Sequence, residues 1–246
     1  MREKQPLLNT RVNDLSCREA AEVIEGMIRE GKKGYVVEVN ADVVMQMEKD
    51  AELRRISEEA DLTLTDGTPL VWISRLTGHP VRERASGSDL ALLLCQGSAE
   101  KGYSLFILGG GPGVAERARA NLEERYPGVR VAGVYAPPLG FEEDEAEAEK
   151  VCRTVSAAKP DAVLVCLGCP KQEKWIARNM QKVDAKVFLC AGATVDFMAG
   201  TVKRAPRWMR KAGLEWFYRF LKEPRRLFKR YFIDDIKVFR LMFKYR

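Results

Sequence analysis

The chain has 246 residues, 41 Lys and Arg against 35 Asp and Glu, six Cys and one His, for a net charge of +6. That length supports an ample core without disulfide or metal staples. The longest uncharged run, 14 residues from Gly102 to Ala115, is too short and too rich in glycine to span a bilayer. The only histidine, His79, sits in a turn between Gly78 and Pro80, which disfavours a His-dependent triad and leaves no multi-histidine metal site.

The first residues, Met1 to Pro6, lack the apolar stretch of a signal peptide, so a cytosolic location with reduced cysteines is expected. Ser16 and Glu19 form a capping box that opens a helix to about Ile28, and Tyr35–Val39 reads as a buried strand. Helical periodicity follows over 43–60. Strand Leu62–Thr65 and helix Pro69–Leu76 come next, then helix Ser88–Glu100 and strand Ser104–Leu108. Helix Val114–Tyr126, strand Val129–Val134 and helix Asp144–Ala158 continue the alternation, which closes with strand Ala162–Leu167, helix Lys171–Lys182 and strand Lys186–Cys190. Short strands separated by helices imply right-handed βαβ units, an α/β fold of Rossmann-like type with a mostly parallel sheet flanked by helices.

Charge divides the chain near Gly200. Residues 201–246 hold 15 basic and 4 acidic residues, net +11, and 11 of the 21 aromatic residues, whereas residues 1–200 are net −5. We therefore expect an α/β domain over 1–200 and a helical basic-aromatic appendage over 201–246, punctuated by Pro206 and Pro224. Basic residues among Trp208, Trp216, Phe232, Phe239 and Tyr245 suit an anionic membrane surface. Single-stranded nucleic acid is the rival polyanion, disfavoured because a phosphodiester-binding role needs none of the residues gathered at the strand ends.

In an open parallel sheet, ligands bind outside the carboxyl ends of the strands. Those ends carry Glu38, Asn40 and Asp42; Asp66 and Gly67; the loop Gly109-Gly110-Gly111-Pro112-Gly113; Lys171, Gln172 and Glu173 after Gly168-Cys169-Pro170; and Asp196. Asp66 reads either as a helix N-cap or as a general base for an acceptor hydroxyl. The glycine loop reads as a phosphate cradle or a structural turn. It is neither a dinucleotide fingerprint, because Val114 replaces the third glycine, nor a P-loop, because no Gly-Lys-Ser/Thr follows. Cys166 and Cys169 have C-x-x-C spacing without a second pair, so packing outweighs metal or redox use. No Asp-x-Asp occurs, so the usual sequence sign of a metal holding a nucleotide-sugar diphosphate is missing, and no cofactor is expected.

Taken together, Asp66-Gly-Thr, Gly109 to Ala115, Gly168-Cys-Pro-Lys-Gln-Glu173, Ala193 to Gly200, Arg204-Ala-Pro206, Gly213 to Arg219 and Glu223-Pro-Arg225 resemble the WecG/TagA/CpsF glycosyltransferases. The resemblance implies inverting transfer of a sugar, most often N-acetylmannosamine, from a UDP donor to an undecaprenyl-diphosphate-linked GlcNAc, in wall teichoic acid or another cell-surface polysaccharide. Other hexoses or uronic acids for capsule are the alternative. It places the catalytic base on Asp66 and brings tail arginines, here Arg219, Arg225 and Arg226, to the reaction centre with Lys171, in place of a metal. Gln172 and Glu173 would then hydrogen-bond the donor, Asn40 and Asp196 would line its pocket, and Gly109, Gly110, Gly111 and Gly113 would meet its diphosphate. At the position of Glu38 the family often has Thr, so this chain departs there. A peripheral place on the inner face of the cell membrane follows from a lipid-linked acceptor, and a site completed by a tail leaves room for self-association.

Overall fold

Two three-residue strands, β1 (Gln5–Leu7) and β2 (Thr10–Val12), open the chain as an antiparallel hairpin. The sequence reading has no element there. Strands this short show no alternation, and the turn is Leu8-Asn9, with Leu8 at φ +54°, rather than a glycine pair. A computed structural model describes the chain over residues 3–245, the side chains of Lys211 and Arg226 excepted.

Helix α1 (Cys17–Arg29) starts at the expected capping box, with Ser16 Oγ accepting from the Glu19 amide and the Glu19 carboxylate from the Ser16 amide. Strand β3 (Gly34–Val39) follows. The single helix expected over 43–60 is two, α2 (Ala41–Met47) and α3 (Ala51–Glu59). The break comes from Asp50, whose Oδ1 accepts from the Leu53 amide at 3.0 Å and caps a new helix. Strand β4 (Leu62–Thr65), helices α4 (Thr68–Leu76) and α5 (Gly87–Lys101), and strand β5 (Ser104–Gly109) come next. Helix α6 (Val114–Arg125), strand β6 (Arg130–Tyr135), helix α7 (Glu145–Ala158) and strand β7 (Ala162–Cys166) continue the alternation. It ends with α8 (Lys171–Asn179), β8 (Val187–Cys190) and α9 (Thr194–Ala199).

The six strands β3 to β8 form one wholly parallel sheet in the order β4-β3-β8-β7-β5-β6. Apolar helix faces cover both sides. On one side Val43 and Val44 of α2, Leu53 and Ile56 of α3, Val151 and Val155 of α7 and Ile176 of α8 are buried. On the other lie Ile24 of α1, Leu90 and Leu94 of α5, Ala118 of α6 and Val195 of α9. Neighbouring strands β3 and β8 thus send their following helices, α2 and α9, to opposite faces. The backbone parts at that point, and a crevice opens at the carboxyl ends of the strands.

The tail beyond Gly200 is helical: α10 (Arg207–Lys211), α11 (Glu215–Lys222), α12 (Pro224–Lys229), a π turn over Arg230–Asp234, a 3-10 turn over Asp235–Lys237 and α13 (Val238–Lys244). It packs against the α/β body. Val238 and Leu241 join the core on the α2 side. Arg204 and Arg210 meet Asp89 at 2.7 and 3.0 Å, Arg230 meets Asp42 at 3.2 Å, and Tyr245 donates to Glu48 at 2.7 Å.

Candidate active site

Strand β4 delivers Asp66 to the crevice. Its amide donates to the Val39 carbonyl at 2.8 Å, which continues the β3–β4 register by one residue and fixes where the carboxyl group emerges. Of the two readings of Asp66, the cap is not realised: the N-cap of α4 is Gly67, at φ +125° and with no side-chain cap bond. The Asp66 carboxyl instead faces a cavity of about 330 Å³ lined by Asn40, Trp72, Arg84 and Ser86 from the body and by Glu215, Trp216, Arg219, Tyr231 and Phe232 from the tail. One chain therefore supplies both walls.

Burial pushes Asp66 up from 3.8 to about 6, against the pull of Arg84, with Glu215 adding to the rise and Arg219 and Arg204 opposing it. Two linked ion pairs hold these groups. Arg84 Nη1 donates to Glu215 Oε2 at 2.9 Å, and Arg204 Nε donates to Glu215 Oε1 at 3.2 Å. Arg204 and Arg219 both lie over the Phe197 ring, with guanidinium carbons 5.6 and 5.9 Å from its centroid. Glu215 is only 13% exposed and occupies Arg84 from the tail side, so the Asp66 charge is not fully neutralised. A carboxyl group that exchanges its proton near neutral pH, beside guanidinium groups, suits a general base next to a departing anion.

Glu38 is the neighbouring carboxyl. Burial, then the Asp66 charge, raises it well above the ordinary carboxylate range, while the Gly87 amide lowers it. Its Oε1 is buried without a hydrogen-bond partner. A Cβ at Gly87 would lie 1.9 Å from Glu38 Oε2, so the first residue of α5 has to be glycine for this side chain to fit.

The other expected site residues spread along the same sheet edge. Asn40 lines the cavity and also caps α2, its Oδ1 accepting from the Val43 amide at 3.1 Å. Arg219 lines the cavity, whereas Arg225 is exposed on α12 outside the lining, and the side chain of Arg226 lies outside the described residues. Lys171 pairs with Glu142 away from Asp66. Gln172 Oε1 accepts from the Gly192 amide at 3.0 Å and its Nε2 donates to Glu173 Oε1 at 2.9 Å, so this buried pair braces the turn between β8 and α9. Glu173 is wholly buried, and that burial raises its pKa. Asp196 accepts from Thr201 Oγ1 at 3.3 Å, at the root of the tail.

The loop Gly109–Gly113 joins β5 to α6 at this edge but does not line the cavity around Asp66. A Cβ at Gly109 would meet the Cys166 carbonyl oxygen at 2.3 Å, so glycine there serves the close approach of β5 to β7. Cys166 and Cys169 are free thiols, and among the described residues no group of three or more His, Cys, Asp or Glu side chains is placed to hold a metal ion.

Sequence reasoning missed Arg84, Glu215 and Trp72. Arg84 lies in the connection between α4 and α5, not at a strand end, so the sheet-edge rule passes over it. Glu215 falls within the Gly213–Arg219 motif, but only the fold shows that it reaches Arg84.

Comparison with known sequences identifies the family. The model of the glycosyl transferase WecG/TagA/CpsF family matches residues 5–246. The chain belongs to that family. Among its relatives, the N-acetylglucosaminyldiphosphoundecaprenol N-acetyl-β-D-mannosaminyltransferase of Bacillus subtilis (strain 168) is 32% identical over 78% of this chain and 73% of its own length. The proteins of the same name from Bacillus spizizenii and Staphylococcus aureus (strain MRSA252) are 30% and 29% identical, over 80% and 78% of this chain and 74% of each relative. The chain is thus a glycosyltransferase, and the cavity at Asp66 is its candidate reaction centre. Among the described residues no helix is long and apolar enough to cross a membrane.

Proposed function

We propose that this glycosyltransferase moves N-acetylmannosamine from a UDP donor to GlcNAc linked through a diphosphate to undecaprenol, with inversion and without a metal, at the inner membrane face. The observation that carries the reading is the Asp66 carboxyl, held at about 6 in a cavity lined by Arg84 and Arg219. As the acceptor hydroxyl oxygen attacks the anomeric carbon, its proton passes to Asp66 and the bond from that carbon to the UDP oxygen breaks. Attack from the face opposite the leaving group inverts the anomeric configuration. The negative charge gathering on UDP is met by guanidinium groups already in place, the arrangement that stabilises a developing anion most. The relatives' name supports the transferred sugar and the lipid-linked acceptor, and the lack of an Asp-x-Asp motif supports metal independence.

At the membrane, the exposed Trp208, Leu221, Phe228, Ile236 and Phe243 of the tail supply the apolar contact and the tail's surplus basic residues the attraction to anionic lipid. The test is UDP release over a panel of UDP-sugars, uronic acids included, with a short-chain polyprenyl-diphosphate-GlcNAc acceptor, in EDTA and with added Mg²⁺ or Mn²⁺. UDP-N-acetylmannosamine should be preferred and EDTA harmless, and Asp66→Asn should lower kcat by about 10²–10⁴ with donor KM little changed. Release that requires a metal, or that survives Asp66→Asn, overturns the proposal.

A further inference from the structure

Beside the Asp66 cavity lies a larger groove of about 790 Å³, set between α5 on one side and α6 and α9 on the other, with α10 along its rim. None of the expected site residues lies in it. Its floor is apolar: Leu92 and Leu93 of α5, Leu122 of α6 and Met198 of α9. Its wall is cationic: Arg125, Arg204, Arg207 and Arg210. The only acidic lining residue, Asp89, is already engaged by Arg204 and Arg210 at 2.7 and 3.0 Å. Arg125 and Arg207 are exposed and have no carboxylate partner among the described residues. A groove with an apolar floor and several unspent guanidinium N–H groups is complementary to an apolar chain that ends in phosphate.

Continuity with the reaction centre decides which such molecule. Ser88 and Phe197 line both the groove and the Asp66 cavity, and Arg204 connects them by reaching Glu215 in the cavity wall. A ligand whose phosphates lie on the arginines can therefore extend its sugar past Ser88 and Phe197 to Asp66, and its hydrocarbon along Leu92 and Leu93. We propose that this groove binds the diphosphate and the first isoprene units of the lipid-linked acceptor, and so orients the acceptor hydroxyl towards Asp66. The assignment rests on the transfer reaction proposed above. In it, Arg125 and Arg207 are acceptor-binding residues without a part in donor binding.

The experiment uses the full-length protein and farnesyl diphosphate, a probe with the diphosphate and prenyl chain but no sugar. Wild type should bind it, and hydrogen exchange should show protection over α6 (Val114–Arg125) and the α5 face. The double variant Arg125→Ala/Arg207→Ala should bind about tenfold more weakly, ~1.4 kcal/mol, and Leu93→Trp, which fills the groove, should not bind measurably. UDP affinity should stay unchanged in both, and with a short-chain polyprenyl-diphosphate-GlcNAc acceptor KM should rise while kcat holds. Unaltered probe binding in both variants, or no protection of α6 in wild type, overturns the assignment, and the second readout does not depend on any variant folding. Displacement of the probe by equimolar dihexanoyl phosphatidylglycerol overturns it in favour of a general anionic-lipid site. Because the probe carries no sugar, its binding still reports on the groove if no UDP-sugar supports transfer, so the two proposals fail separately.

Discussion

The charge network around Asp66 makes a pH prediction in which two substitutions act in opposite directions. Lifting a carboxyl group from 3.8 to about 6 costs its charged form ~3 kcal/mol. Activity that needs the carboxylate should therefore fall as pH drops through about 6, seen as an acid limb in kcat/KM. Glu215→Gln removes a negative neighbour and should move that limb to lower pH. Arg84→Gln removes the strongest positive neighbour and should move it to higher pH. A neighbouring unit charge typically moves a carboxyl pKa by ~2 units. Since each of these groups is already partly balanced by a partner, about half of that, near one pH unit, is expected. Stability runs against activity. With its folded pKa above the unfolded one, Asp66 adds stability below about 3.8 that is lost as pH rises through about 6. Asp66→Asn should therefore make the protein up to ~3 kcal/mol more stable at pH 8 while disabling it. The assays are pH-rate profiles of UDP release and chemical denaturation at pH 5 and 8. Limbs that stay put, or that move the same way in both variants, refute the network as the source of the Asp66 pKa.

Two further substitutions test how the site is built. Gly87→Ala would put a methyl group 1.9 Å from Glu38 Oε2, a buried overlap expected to cost ~1–3 kcal/mol in urea denaturation and to disturb the acid limb, because Glu38 lies beside Asp66. Leu241→Ala empties a position of the core where α13 packs on the α2 side, and should cost ~2–3 kcal/mol, with limited proteolysis cutting the chain near Gly200 at lower temperature than in wild type.

The body of the fold was legible because strands and helices here follow their periods closely. Strand β4 falls on Leu62–Thr65 as read, and α1 begins at its capping box. What escaped was local or long-range. Asp50 interrupts a continuous helical pattern because a cap can form wherever an Asp precedes a turn, and periodicity does not register it. Asp66 and Asn40 could be found at strand ends because parallel topology brings such ends to one edge. Arg84 and Glu215 could not, because 131 residues separate them and their pairing exists only once the tail has docked. Glu173 shows the limit of the same rule: a residue one turn into a helix after a strand end can point beneath the edge, and burial rather than sequence position decides which way it faces.

The tail's surplus of positive charge takes on a different meaning once its partners are known. Arg204 and Arg210 meet Asp89, Arg230 meets Asp42, and Lys244 pairs with Glu48, so part of the +11 neutralises carboxylates of the acidic body. These contacts fasten the tail along the edge that carries Asp66, where a charge matters most to the reaction. Arg204, Arg210 and Arg230 are less than about two-fifths exposed, whereas Arg207 on α10 and Arg225 and Lys229 on α12 are exposed without ion-pair partners among the described residues. Docking therefore uses Arg204, Arg210 and Arg230, whereas Arg207 on the same groove wall as Arg204 and Arg210 is left to a ligand. Raising salt should first weaken what the exposed members bind, because screening acts most strongly on solvent-exposed charges, and should leave the docked tail in place until much higher concentrations.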